Sequence, residues 1–258
     1  MIRIDRPTDT PPQLGGGAGL VQTKIAAHDA DPALYTTLKG KFSFDVGVYG
    51  HEDVRQILKS AQRWKCCFCE SKIEDVSYGE VEHFRPKAAW RQSKDAKLKR
   101  PGYYWLAYTW DNLLWSCKMC NGSYKKNLFP LEDPAVRNCV GRTVANETPL
   151  LIDPSACNPR DHIRFKLDKA VGITGVGRVT IDSLGLNREK LVESRRERLQ
   201  YLVAVWENIE MARDLGRENN VTSGLRTLER AVLPQAPYSS MAIDLIAGLR
   251  EAENAEAA

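Results

Sequence analysis

A chain of 258 residues, 43% hydrophobic and 27% charged, is long enough for one elaborate domain or two small ones, and its composition excludes a disordered or collagen-like class. Seven cysteines are too few to staple a chain of this length, and no run of about 18 apolar residues offers a membrane span. The net charge of +4 permits an anionic partner without demanding one, so the placement of the basic residues matters more than their sum.

Residues 1–20, with Pro11-Pro12 and Gly15-Gly16-Gly17, read as a loose arm, and residues 1–18 lack the apolar stretch of a signal peptide. A reducing cytoplasm, with thiolates on a metal, is the expected setting. Asp31-Pro32 predicts an N-cap and first helical position for a short helix running to Lys39. Val54, Ile57, Leu58 and Ala61 fall at i, i+3, i+4 and i+7, one face of a helix leading into Cys66. Short strands and turns follow to about Pro134, among them a β-prone run at residues 76–81, with helix restarting near Cys117. Residues 150–182 have strand character: Ile163, Phe165 and Leu167 alternate with polar residues, as do Val179 and Ile181 across a Gly-rich turn. Beyond Asn187, Leu199, Leu202, Trp206 and Ile209 predict a long amphipathic helix. Pro234 and Pro237 separate it from a last helix with a frayed tail over residues 251–258. The expected organisation is α+β. An N-terminal arm and short helix (1–50) precede a cysteine-rich core (51–135), a β-rich extension (136–186) and a helical lobe (187–258).

Chemistry concentrates in the second of these segments. Cys66-x-x-Cys69 and Cys117-x-x-Cys120 have the spacing at which two thiolates of each pair face one ion, so the four predict a closed tetrahedral Zn²⁺ site. Cys67 competes by position, whereas Cys139 and Cys157 read as plain thiols. Glu82-His83 follows the β-prone run. Neighbours on a strand face opposite ways, so both reach one site only at a bulge or strand end. A histidine with a pKa near 6.5 suits taking a proton from water at neutral pH. Between His83 and Asn112 lies a basic stretch, Arg85, Lys87, Arg91, Lys94, Lys97, Lys99 and Arg100 against the one acid Asp95. Together with Lys125 and Lys126 it reads as a phosphate-tracking surface. For the interleaved Tyr104 and Trp105, core packing is favoured over base stacking.

Cys66-x-x-Cys69, Glu82-His83, Asn112 and Cys117-x-x-Cys120-Asn121 together resemble the HNH (ββα-metal, or His-Me finger) endonucleases of the zinc-knuckle type. The resemblance implies a two-stranded hairpin and a helix around one divalent ion, with zinc behind them as a clamp. It implies His83 as the base that activates water, Asn112 as the residue that orients it, and Glu82 and Asn121 as ligands of Mg²⁺ or Mn²⁺. Arg85 is a candidate donor to a phosphate oxygen. Glu82-His83-Phe84-Arg85-Pro86-Lys87, Asn112-Leu113-Leu114-Trp115-Ser116-Cys117, Leu151-Ile152-Asp153-Pro154 and His162-Ile163-Arg164-Phe165 are similar to the HNH proteins of Septu-type and retron-linked bacterial defence systems, whose nuclease is partnered by an ATPase. Tyr124 stands where many zinc-knuckle relatives carry Lys, so which of Lys125 and Lys126 meets phosphate stays open. The expected function is cleavage of nucleic acid, DNA ahead of RNA. The alternatives are an RNA (tRNA) nuclease and a zinc-knuckle module that binds without cutting. A pure binding module would need the cysteines and the basic stretch but not Glu82, His83, Asn112 and Asn121 together.

Overall fold

The N-terminal residues expected as a loose arm are folded into the body of the protein. In the computed structural model, which describes residues 1–37, 41–73 and 78–256, Met1, Ile4 and Leu14 are buried. The Ile4 amide donates to the Pro154 carbonyl at 2.8 Å, and the Arg6 guanidinium donates to the carbonyls of Trp110 and Leu113 at 3.0 and 2.8 Å. The glycine run that implied slack serves a close approach instead. A Cβ at Gly17, the first residue of α1 (Gly17–Ala30), would fall 2.3 Å from the Cβ of Tyr108, so only glycine fits there.

Local signals set the next helices. α2 (Pro32–Thr36) starts where Asp31 accepts from the Leu34 amide at 3.0 Å; Lys39, its expected end, lies outside the described residues. After α3 (Val46–Tyr49), α4 (Glu52–Ala61) buries Val54 and Leu58, with Ile57 and Ala61 packed partly against the same core. Beyond it, β1 (Gly79–His83) pairs antiparallel with β2 (Leu113–Cys117), from Gly79 opposite Cys117 to His83 opposite Leu113. Val76 and Ser77 of the expected strand lie outside the described residues. Every residue of β2 is buried, so its second edge needs partners away from water. Gln62 supplies them: its Oε1 accepts from the Trp115 amide at 2.8 Å, and its Nε2 donates to the Trp115 carbonyl at 2.6 Å. A π-helical segment, Met119–Lys125, follows β2 at once.

In the C-terminal half the strand reading holds only for its first part. β3 (Ile163–Lys166) and β4 (Lys169–Gly172) form a hairpin, but Val179 and Ile181 lie in α5 (Gly175–Ser183). The i, i+2 spacing of Val179 and Ile181 fits a strand, but the Thr174 hydroxyl starts a helix by accepting from the Gly177 amide at 3.1 Å. α6 (Glu189–Asp214), α7 (Glu218–Ala231) and α8 (Ser239–Glu256) make the helical lobe. The expected stripe buries Leu202, Trp206 and Ile209 against Val221, Leu228, Ala242 and Ile246, with Leu199 half-buried. α7 was not expected as a separate helix. Gly216, at φ +64°, ends α6, and the Arg217 amide reaches back to the Ala212 carbonyl at 2.8 Å. Of the tail expected to fray, residues 251–256 continue the helix, with Glu253 paired to Arg213, and residues 257–258 lie outside the described residues.

The lobe meets the rest of the protein through buried charge. Glu70 accepts from the hydroxyl of Ser239 at 2.9 Å, and lies 3.2 Å from the Lys65 ammonium and 2.6 Å from the Met1 α-amine. Burial works to raise its pKa, but the Met1 amine and Lys65 hold it well below the usual carboxylate range. Removing the carboxylate in Glu70→Ala leaves Lys65 buried beside no acid, which should cost about 3–5 kcal/mol and lower the urea midpoint; an unchanged midpoint would refute this role. Because the folded-state pKa is depressed, the stability that Glu70 contributes is present at neutral pH and is lost as pH falls below about 4.5.

Candidate functional site

Four sulfur atoms converge at the end of β2. Cys66, Cys69, Cys117 and Cys120 are buried, none is in a disulfide, and their Sγ atoms all lie within 4.8 Å of one another. Ligands 2.3 Å from a tetrahedral ion stand about 3.8 Å apart, and Cys69 Sγ is 3.9 Å from Cys117 Sγ. The quartet therefore fits a structural Zn²⁺. Donors surround it as thiolates require: the Cys120 amide reaches Cys117 Sγ at 3.4 Å, and the Arg188 guanidinium reaches Cys120 Sγ at 3.6 Å. Cys67 stays out of the quartet, and burial pushes its thiol well above the ordinary value, which marks it as a neutral core residue.

A cleft of about 240 Å³ opens along the same hairpin, lined by Glu82, His83, Lys87, Asn121, Lys126 and neighbouring backbone. Glu82 and His83 both reach it because His83 is the last residue of β1, where the strand's alternation ends. The imidazole is 5% exposed. Its Nε2 lies 2.9 Å from the Ala107 carbonyl, an acceptor only, so Nε2 carries the hydrogen and Nδ1 the lone pair. Nδ1 is 3.1 Å from the Lys87 ammonium, and the Tyr49 ring packs edge-on at 4.8 Å. Burial, then the charge of Lys87, holds the His83 pKa well below 6.5, so the ring is neutral at pH 7.

Asn112 braces this residue from behind. Its Oδ1 accepts from the Arg85 amide at 2.7 Å, and its Nδ2 donates to the carbonyls of Arg85 and Leu106 at 3.0 and 3.2 Å. Both chain segments that flank the imidazole are thereby tied together. Asn121 Nδ2 donates to Glu80 Oε2 at 2.9 Å. Glu82 is buried in an ion pair with Lys125, and burial raises its pKa against the pull of that lysine.

Several expected contacts fall elsewhere. Lys125, a candidate for phosphate, is fully buried; it donates to the His83 carbonyl at 3.0 Å and neutralises Glu82, while its neighbour Lys126 is exposed in the cleft. Arg85, a candidate catalytic donor, turns into the core, 3.3 Å from Glu147 and over the rings of Phe129 and Tyr103. Arg91 closes its own loop by donating to the Ala96 carbonyl at 3.2 Å, Lys94 pairs with Asp182 at 2.7 Å, and Lys97 is exposed. Tyr104 is buried and Trp105 half-buried, in keeping with packing. Among the remaining histidines, His28 stacks on Tyr104, His51 caps α4 and His162 meets the Thr174 hydroxyl. The sequence reading missed Tyr49, Glu147 and Arg188, which lie far along the chain from the groups they serve and form no motif with them.

No family model matches the chain, and no solved structure matches it. It is 37% identical over 174 residues to Septu protein PtuB of Bacillus mycoides (strain KBAB4), which covers 66% of this chain and 59% of that protein. It is 28% identical over 183 residues to Septu protein PtuB of Bacillus thuringiensis, covering 70% and 60%. It is also 30% identical over 146 residues to Septu protein PtuA of Bacillus mycoides (strain KBAB4), covering 56% of this chain and 20% of that protein. The chain thus spans about three-fifths of the length of its PtuB relatives, and the likeness links it to the Septu proteins. No helix among the described residues is long and apolar enough to cross a membrane.

The cysteine geometry sets a test. Cys69→Ser and Cys120→Ser should each lower zinc from about one ion per chain toward none and leave the protein insoluble or unfolded, whereas Cys157→Ser should keep both metal and fold. A folded wild-type protein that contains no zinc by elemental analysis would rule the site out.

Proposed function

We propose that the protein is a metal-dependent HNH endonuclease, built on a ββα-metal finger, that hydrolyses phosphodiester bonds of nucleic acid, DNA ahead of RNA. One observation carries the reading: a neutral, rigidly held His83 opens on the same cleft as Glu82 and Asn121, with Nδ1 as its one basic nitrogen. Glu82 and Asn121 offer oxygen donors of the kind that suit a hard cation, since Asn121 spends its Nδ2 on Glu80 and keeps Oδ1 to give. A Mg²⁺ or Mn²⁺ ion held by them would supply charge neutralisation at the phosphate and the leaving 3′ oxygen. His83 Nδ1 takes the proton of the attacking water, and the Ala107 carbonyl stabilises the imidazolium that results through Nε2. Asn112 keeps the ring in register by holding the backbone on either side of it. Lys87 and Lys126 bind phosphate at the cleft, and Lys97 extends the basic surface beyond it.

The likeness to Septu proteins PtuB and PtuA supports a role in anti-phage defence with a partner protein, for which we propose an ATPase. Tyr201 and Met211, exposed on α6, and Leu215 just past its end give such a partner an apolar surface.

His83→Ala should lower cleavage by about 10²- to 10⁴-fold while zinc content and nucleic-acid affinity stay at the wild-type level. Asn121→Ala should also lose activity, but high Mg²⁺ or Mn²⁺ should restore part of it and do nothing for His83→Ala. Because the His83 pKa sits well below 6.5, the wild-type rate should hold as pH falls from 7 to 6 rather than drop with the protonation of an ordinary histidine. The assay offers plasmid, linear DNA and total RNA in parallel, with any ATPase partner present. A His83→Ala protein that cuts as fast as wild type would refute the mechanism.

A further inference from the structure

Both ring nitrogens of His83 are engaged in the folded chain. Nε2 donates to the Ala107 carbonyl at 2.9 Å, and Nδ1 accepts from the Lys87 ammonium at 3.1 Å. An imidazole lone pair that already receives an N–H cannot take a proton from water until that donor moves away. Lys87 is poised to move. It lines the cleft, its ammonium lies over the Tyr49 ring at 4.6 Å and the Phe44 ring at 5.7 Å, and it forms no ion pair among the described residues. The nearby carboxylate of Glu82 is taken by Lys125. Burial brings the Lys87 pKa down to about 8 against the pull of the Glu82 carboxylate.

Resting on the nuclease reading, we infer that Lys87 is a substrate-released latch: its ammonium caps His83 Nδ1 in the free protein, and a phosphate oxygen of bound nucleic acid draws it off. A charge-assisted hydrogen bond to a phosphate oxyanion is stronger than one to a neutral imidazole, and the long stem of lysine lets the head group swing without moving the backbone. Nδ1 is uncovered only when a phosphodiester is seated beside it. The latch therefore couples activation of the base to occupancy of the cleft, and it makes Lys87 a positioning residue that acts through His83.

The test uses the zinc-loaded full chain with ¹⁵N-labelled histidine and no added Mg²⁺ or Mn²⁺, so that a bound strand is not cut. The His83 Nδ1 resonance is assigned by its loss in His83→Gln. Lys87→Met, which keeps length and loses the charge, should move that resonance in the free protein to the position of an unbonded imidazole nitrogen. Titrating wild type with a short DNA duplex, and separately with an RNA duplex of the same sequence, should move it the same way for whichever duplex binds. The variant should bind that duplex more weakly, with a salt slope reduced by about one. An unmoved His83 resonance in folded, zinc-loaded Lys87→Met overturns the latch, and so does a duplex that binds wild type without moving it. The wild-type titration decides the matter even when the variant fails to fold. A protein that binds neither duplex overturns the nuclease reading and the release step, while a shift in the free variant still supports the cap.

Discussion

The convergence of four thiols is the constraint on which the rest of the site depends. They come from three stretches of backbone: Cys66 and Cys69 from the turn after α4, Cys117 from the end of β2, and Cys120 from the segment that follows. A two-stranded sheet of five residues a side is marginal by itself. A metal shared by the four would fix the end of β2 against α4 and set the direction in which residues 119–125 leave it. Asn121 and Lys126 reach the cleft because they follow Cys120 by one and six residues on that fixed path. His83 is set at the opposite end of the same ladder, across from Leu113.

Around the imidazole the protein accepts several buried ionisable groups within a small space. Lys125 resolves the most costly of them, since one ammonium neutralises Glu82 and satisfies the carbonyl at the end of β1. That arrangement holds the strand end rigid and adds positive charge near His83, which reinforces its neutral state. The next turn of chain separates two basic residues by function. Arg85 goes inward to Glu147, which also accepts from the Tyr103 hydroxyl at 3.0 Å. Lys87, two residues on, goes outward to the cleft itself.

The helical lobe is joined to this centre through side chains at the start of α6. The Arg188 guanidinium lies over the Tyr124 ring at 5.4 Å and reaches the sulfur of Cys120, so one residue spans the lobe, the π-helical segment and the cysteine quartet. Arg195, one of the largest fully buried side chains, donates to the Leu186 carbonyl at 2.6 Å and lies over Phe165, which ties α6 to the β3–β4 hairpin. These contacts keep α6 aligned with the cysteine centre, while its Tyr201 and Met211, and Leu215 just past its end, remain open to solvent.

Local chemistry was readable from the chain. The CxxC spacing selected Cys66 over Cys67, Asp31-Pro32 started α2, and apolar periodicity marked α4 and the buried face of α6, because each depends on residues within a turn or two. Where a motif places a group, as with His83, Asn112 and Asn121, the sequence also brought the candidates for one site together. What it did not determine were choices made by burial. Lys125 and Lys126 are adjacent and chemically identical, yet one is a core counter-ion and the other faces the cleft. Arg85 looked catalytic until Glu147, far along the chain, claimed it. The N-terminal residues looked slack until Tyr108 and Pro154 gave them surfaces to pack on. Local sequence carries propensity and spacing, whereas the free energy of a buried charge or a close backbone approach depends on partners that only the folded chain brings within a few ångströms.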